Sequence, residues 1–373
     1  MKLKLFCLFL MLTFILSVSN ASTVAIIDSG TDLLHKDLAD KAWINPLEIA
    51  NNDRDEDRNG YQDDVNGWNF AEGNNKIIDY SYLGRLTPDI RKFFKIQAKM
   101  IKGEATEAEI TWLRAKVEDM EFLKKLQVYG NFMHGTHVAG IAAKAADDAK
   151  MMAVKIIPTE VKMPFNLLKV EGDFTSALIK LALGQLAKQQ MKVLEEVAAY
   201  VGNHKADVAN GSFGTGYRQA KMIVEALYKT VGKEPSKEVV HELASHFINT
   251  MIREGEHMVL AAPNTLFVFA AGNDGMNNDK YPSSPTNIKA SNVVSVAATM
   301  GTEAMASFSN YGDKMVDLAA PGVAINSAVP GNQYLEVSGT SQAAPYVANV
   351  AAQIKDMNKD LNPSEMKTIL LKT

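Results

Sequence analysis

Cysteine is almost absent from this chain. The 373-residue sequence contains a single cysteine, Cys7, within an apolar run near the N-terminus. A disulfide needs two cysteines, and we expect this one to leave with the N-terminal segment, so the mature protein has neither disulfide nor thiol chemistry. Packing or bound metal must then stabilise it.

Long apolar runs are also missing beyond that N-terminal segment. The run from Leu5 to Val18 follows two lysines and precedes small residues around Ala21. This pattern predicts a secretory signal peptide over residues 1–21, a mature domain at 22–373 and export to the periplasm or the extracellular space. With about 14 residues the run is shorter than the roughly 20 that cross a bilayer, so we expect no membrane association after its removal.

The chain also lacks a strong excess of positive or negative charge. The formal net charge is -4, which predicts no basic surface for nucleic acid or for an anionic membrane. We expect neither as a partner, and we expect a monomer. With 47% hydrophobic and 22% charged residues, the composition is typical of a globular chain that buries one large core.

Short apolar runs that end in Gly, Asp or Asn alternate with helical patterns. The runs are at 24–27, 152–157, 208–210, 266–271 and 293–298. This alternation predicts an α/β fold, a three-layer αβα arrangement with a mostly parallel central sheet. Sites in such sheets form beyond the carboxyl ends of the strands. Asp28 and Asn273 follow two of these strands and are therefore candidates.

Three helical stretches are predicted as insertions into this core, at about 82–128, 175–201 and 217–259. Apolar residues at helical spacing predict two helices in the first stretch. The third is expected to break between Gly232 and Pro235.

The string SGTSQAAPYVANVAAQ, residues 338–353, offers a nucleophile. Ser341 follows Gly339 at the predicted start of a helix, whose amides favour a developing anion. The alternative is an ordinary N-capping serine. The string also resembles a G-x-S-x-G elbow, but that arrangement needs a histidine after the serine, and the last histidine is His257. The order His, Asp, Ser belongs to paired β-barrels, so the order Asp, His, Ser remains.

Two further strings supply a base and a carboxylate. In HGTHVAG, His134 is predicted at the start of a second helix of small residues. Alternatively, His134 and His137, which are one helical turn apart, bind a metal as a pair, although no third ligand is evident. In VAIIDSGTD, Asp28 is placed to accept a hydrogen bond from histidine Nδ1 and fix its tautomer. Asp32 is a competing carboxylate.

The strings DSGTD, HGTHVAG, AAGNDG and GTSQAAP occur here in the order found in the subtilisin (subtilase) family, which the chain resembles. The resemblance implies a subtilisin-like fold and a triad of Asp28, His134 and Ser341. It also implies that Asn273 and the Ser341 amide form the oxyanion hole. Gln342 stands where many members carry methionine, so we expect resistance to peroxide.

The resemblance further implies a substrate-binding set, comprising Ser212, Phe213, Gly214, Ala271 and Gly272. The expected function is a secreted serine endopeptidase that cleaves polypeptides through an acyl-enzyme intermediate. The alternatives are a catalytically silent subtilisin-like binding protein, whose insertions block the cleft, and an esterase or lipase, which the chain order disfavours.

The string NNDRDEDRNGYQDDVNG, residues 51–67, is rich in oxygen ligands. Those predicted to converge on a structural Ca²⁺ are Asp53, Asp55, Asp57, Asn59, Asp63 and Asp64. The spacing is not that of an EF-hand, because Arg58 stands where that loop needs glycine. A solvated acidic loop is the alternative.

Overall fold

The computed structural model describes residues 21–146, 148–160, 176–230, 232–302 and 304–372. The predicted signal peptide lies outside these ranges, apart from Ala21. The strands are β1 (Thr23–Asp28), β2 (Gly67–Asn69), β3 (Lys150–Lys155), β4 (Val208–Gly211), β5 (Leu266–Ala270), β6 (Val293–Met300), β7 (Ala304–Met305), β8 (Leu318–Pro321), β9 (Ile325–Val329) and β10 (Gln333–Val337). The helices are α1 (Pro88–Lys102), α2 (Glu107–Glu118), α3 (Met120–Ala142), α4 (Ser176–Asn203), α5 (Tyr217–Thr230), α6 (Lys237–Leu260), α7 (Thr340–Met357) and α8 (Pro363–Leu370).

The central sheet has eight strands, in the order β2-β3-β1-β4-β5-β6-β7, with β8 also paired to β6. Its pairs are parallel except for the short β6–β7 pair. Strands β9 and β10 form a separate antiparallel hairpin. Residues 24–27 of β1 are fully buried, because a parallel sheet covered on both faces has no solvent side. The predicted α/β fold with a mostly parallel sheet is confirmed.

Alternate residues of β1 enter two different hydrophobic cores. Ala25 and Ile27 pack with side chains of α4, α5 and α6. Val24 and Ile26 pack with side chains of α3, α7 and α8. Successive side chains of a strand point to opposite faces of its sheet. Helices therefore cover both faces, which gives the three layers.

The first insertion differs from its predicted form. Residues 82–128 hold α1, α2 and the first part of α3, rather than two helices, and α3 continues without a break through His134. Helices α2 and α3 are separated by Asp119 alone, whose side chain accepts hydrogen bonds from the amides of Glu121 and Phe122. This boundary was not predicted from the sequence, because neither glycine nor proline marks it.

Helices α4, α5 and α6 occupy most of the second and third stretches that were predicted as insertions. Helix α6 contacts both α4 and α5. Helix α5 ends at Thr230 and α6 begins at Lys237, on either side of the predicted break between Gly232 and Pro235. Within the described ranges, no helix combines the length and the apolar character needed to cross a membrane.

Candidate active site

The ends of three neighbouring strands carry several of the candidate side chains. Asp28 ends β1, Ser212 directly follows β4, and Asn273 lies just after β5. The three strands are adjacent and parallel, so their carboxyl ends meet at one edge of the sheet. Ser341 reaches the same edge from the first turn of α7. The topology thus brings distant segments together.

Asp28 and His134 form a short hydrogen bond. Asp28 is fully buried, and its Oδ1 lies 2.7 Å from Nδ1 of His134 and accepts a hydrogen bond from the Ser29 amide at 2.7 Å. Burial lowers the pKa of His134, but the charge of Asp28 and the hydrogen bond outweigh it, so the net pKa is raised. A carboxylate can only accept, so Nδ1 carries a proton and Nε2 is left to act as a base.

The glycine of HGTH allows α3 to approach β1 this closely. A Cβ on Gly135 would lie 2.3 Å from the carbonyl oxygen of Gly30. The amide of Gly135 also donates to Oγ of Ser29 at 3.2 Å. Any larger residue at 135 would push His134 away from Asp28.

His137, the alternative metal ligand, contacts two backbone carbonyl oxygens. Its Nε2 lies 3.1 Å from the carbonyl oxygen of Ile325 and 3.0 Å from that of Leu335. Burial lowers the pKa of His137 to about 4, so the ring is neutral and donates from Nε2. It ties α3 to the β9–β10 hairpin and is not paired with His134 for metal binding.

Ser341 lies in the same cavity as His134 and Asn273, a space of about 370 Å³. Its Oγ donates to the carbonyl oxygen of Ser212 at 3.2 Å, and its own carbonyl oxygen accepts from Oγ of Ser212 at 2.9 Å. The hydroxyl is therefore turned toward Ser212 rather than bonded to His134. Catalytic hydrogen bonds of this kind are often formed only with substrate bound.

Thr340 fixes the side-chain amide of Asn273. The backbone N–H of Thr340 donates to Oδ1 of Asn273 at 2.8 Å, and its hydroxyl lies 3.0 Å from the same oxygen. Since an N–H group can only donate, the oxygen must face Thr340 and the Nδ2 donor must face away from it. Asn273 is exposed and lines the cavity. This role of Thr340 was not predicted from the sequence, although the residue directly precedes Ser341.

A second cavity of about 240 Å³ lies beside Ser341 and Asn273. All of the predicted substrate-binding residues line it: Ser212, Phe213, Gly214, Ala271 and Gly272. Gln219, Asp274 and Ser283 line the same cavity but were not predicted from the sequence. A larger cavity of about 870 Å³, beside Lys155 and Glu72, contains none of the predicted catalytic residues.

The first insertion contributes to the cavity around His134 and Ser341. Phe94 of α1 and Gln127 of α3 both line it. Phe94 is anchored in a third hydrophobic core, formed by α1, α3 and the β9–β10 hairpin. The wall is thus part of a packed unit and not a loose loop.

The acidic string forms two overlapping groups with donor atoms within 4.8 Å of one another. One contains Glu48, Asp55 and Asp57, and the other contains Asp57, Asp64 and His204. Glu48 precedes the string and His204 directly follows α4, so neither was predicted. Burial raises the pKa of Glu48, and the charges of Asp64 and Asp57 raise it further.

Of the remaining predicted ligands, Asp53 and Asp63 lie outside both groups, and Asn59 contacts the groups through its amide nitrogen. The oxygens of Asp63 accept from the amides of Asn52 and Asp53, at 3.1 and 3.0 Å. Nδ2 of Asn59 donates to Asp57 and Asp64, at 3.1 and 3.0 Å. Asp53 is exposed. These residues shape the loop around the carboxylate groups.

Burial opposes the ionisation of Asp64, but four hydrogen bonds from side chains outweigh it. The donors, in order of effect, are His204, Asn45, Tyr200 and Asn59, and the net pKa of Asp64 is lowered. Asp64 therefore stays charged while fully buried.

Comparison with known proteins identifies a family. The model of the subtilase family matches residues 19–373. The chain is 32% identical over 245 residues to the cell wall-associated protease of Bacillus subtilis (strain 168), covering 64% of this chain and 21% of that protein. It is 29% identical over 240 residues to subtilisin BL of Lederbergia lenta, covering 64% of this chain and 69% of the relative. This chain thus spans about a fifth of the first relative.

Among solved structures, a lanthipeptide protease is similar. It has a TM-score of 0.50 and 18% identity, and the alignment covers 93% of this chain and 79% of that one. At this identity the likeness concerns the fold alone.

Proposed function

Because the chain belongs to the subtilase family, we propose that it is a serine endopeptidase that cleaves polypeptides through Ser341. The observation that carries the proposal is the 2.7 Å contact between Nδ1 of His134 and Oδ1 of Asp28, in a cavity that His134 shares with Ser341 and Asn273. Together these residues supply a base, an orienting carboxylate, a nucleophile and an oxyanion donor.

The proposed reaction begins when Nε2 of His134 removes the proton of the Ser341 hydroxyl. Oγ then attacks the carbonyl carbon of the peptide bond, and His134 returns the proton to the leaving amine. Water hydrolyses the acyl-enzyme by the same route in reverse. Asp28 holds the Nδ1 proton and stabilises the imidazolium.

The charge that develops on the substrate carbonyl meets two donors. One is Nδ2 of Asn273, whose direction is set by Thr340; the other is the backbone amide of Ser341, in the first turn of α7. Removal of such a side-chain donor costs about 10² to 10³ in kcat, a range that was itself measured on a subtilisin.

We further assign residues 22–373 to one peptidase domain, in which the first insertion restricts access. Phe94 and Gln127 line the catalytic cavity, so a substrate must fit against α1 and α3. Flexible chains should fit better than folded proteins. The signal pattern supports export of the protein with cleavage before residue 22. N-terminal sequencing of the exported protein tests this cleavage site.

A structural Ca²⁺ fits the group of Glu48, Asp55 and Asp57. Its donors are all carboxylate oxygens, which Ca²⁺ prefers, whereas the group with His204 mixes oxygen and nitrogen. Burial, and to a smaller extent the charges of Asp64 and Asp57, raise the pKa of Glu48, and a bound cation would favour its charged form. The ion would neutralise this loop and take no part in the reaction.

The test is labelling of the purified protein with a fluorophosphonate, followed by identification of the labelled residue. We expect label on Ser341, none in Ser341→Ala, and more rapid cleavage of casein than of short-chain esters. A folded wild-type protein without label would indicate a catalytically silent binding protein. Preferential ester cleavage would indicate an esterase.

A further inference from the structure

The cavity beside Ser341 is polar and contains one ionisable side chain. Among the described residues that line it, Asp274 alone carries an ionisable group, and the others are small, neutral polar or, at Phe213, aromatic. In the proposed reaction Ser341 attacks the carbonyl carbon of the residue that precedes the cleaved bond. Because Ser341 and Asn273 line this cavity, the side chain of that residue is the part of the substrate that would enter it.

The Asp274 carboxylate is turned toward Gly216 within this cavity. A Cβ on Gly216 would lie 2.7 Å from Oδ2 of Asp274 and 3.3 Å from Oγ of Ser283. These short distances show that both oxygens pack against the backbone of Gly216, and both residues line the cavity. Both can accept hydrogen bonds from a ligand.

The Asp274 side chain is only 22% exposed, and its carboxylate has only a weak ion-pair partner. Nε of Arg218 lies 3.6 Å from its Oδ1, and the Arg218 side chain is 62% exposed. Among the described residues the carboxylate accepts no hydrogen bond. Partial burial without such bonds is unfavourable, and a cationic ligand would offset that cost.

We propose that this cavity binds a lysine or arginine side chain, and hence that the enzyme cleaves after basic residues. The inference rests on the proposed function, since it names the substrate class of the same site. A guanidinium or ammonium group would donate to Asp274 and Ser283. A large apolar side chain would bury both oxygens without donors.

The test compares peptides that differ only at the residue before the cleaved bond. Citrulline has nearly the shape of arginine without its charge, so the ratio of kcat/KM for arginine to that for citrulline isolates the charge. We expect a ratio of about 10 to 100 in the wild type. Asp274→Asn should bring it near one, whatever the total activity of that variant.

Arg218→Gln is the matched control, because it removes a competing cation at the rim and should not lower the ratio. A ratio near one in a fluorophosphonate-labelled wild type, or an unchanged ratio in Asp274→Asn, overturns the inference and leaves the proposed function intact.

An unlabelled wild type refutes the proposed function instead. Calorimetry with acetyl-arginine amide and acetyl-citrulline amide then tests the cavity independently of catalysis. Selective binding of the arginine compound that is lost in Asp274→Asn supports the inference, and equal binding of the two compounds overturns it.

Discussion

Replacement of Thr340 by valine tests how the oxyanion donor is oriented. Thr340 is fully buried, its hydroxyl lies 3.0 Å from Oδ1 of Asn273, and it accepts from the Gly272 amide at 3.1 Å. Valine has nearly the same shape but makes neither bond. With about 1 kcal/mol for each lost bond, and more where the Gly272 amide stays unpaired, the free energy of unfolding should fall by about 2 to 3 kcal/mol.

The catalytic effect should be smaller than that of losing the donor itself. The backbone amide of Thr340 still donates to Asn273 at 2.8 Å in the variant, so the Asn273 side chain is loosened but not released. We expect kcat to fall by about 10-fold, against about 10² to 10³ for Asn273→Ala. KM should change little, because the oxyanion exists only in the transition state and the intermediate.

The assay is steady-state cleavage of a peptide substrate, with enzyme concentrations set by fluorophosphonate titration and melting temperatures measured in parallel. Thr340→Ser restores the hydroxyl and should recover most of the lost kcat. An unchanged kcat in Thr340→Val, or a serine variant as slow as the valine variant, would refute the proposed orienting role.

Three further outcomes are expected. Since the pKa of His134 is raised and catalysis needs its neutral form, kcat/KM should fall on acidification through a pKa above the usual value for histidine. Asp28→Asn should move that fall to lower pH, and an unmoved acid limb would contradict this. EGTA should lower the melting temperature of the wild type. Glu48→Gln should abolish this effect, whereas Asp53→Asn, which lies outside the ligand group, should preserve it. A melting temperature that does not change with EGTA would exclude the calcium site. Dilute peroxide should leave the wild type active and inactivate Gln342→Met, as timed assays would reveal.

The fold was largely predictable because its signals are local. A strand covered on both faces must be apolar throughout, so the run at 24–27 indicates a central strand without any knowledge of its neighbours. Polar residues at strand exits then identify Asp28 and Asn273 as candidates. The α2–α3 boundary was not predictable, because a capping aspartate such as Asp119 is also common within helical sequences.

The sequence by itself determined which chemical groups are available and in what order, through the strings around Asp28, His134, Asn273 and Ser341. It also determined the family. Such strings are readable because turns, glycines and helix starts depend on adjacent residues.

Only the tertiary structure decided which distant groups meet these residues. Thr340 holds Asn273, Phe94 borders the catalytic cavity, Glu48 joins the acidic loop, and Asp274 lies beside Gly216. Each of these arrangements brings together residues from different turns or elements. Their distances depend on how helices and strands pack and not on spacing along the chain.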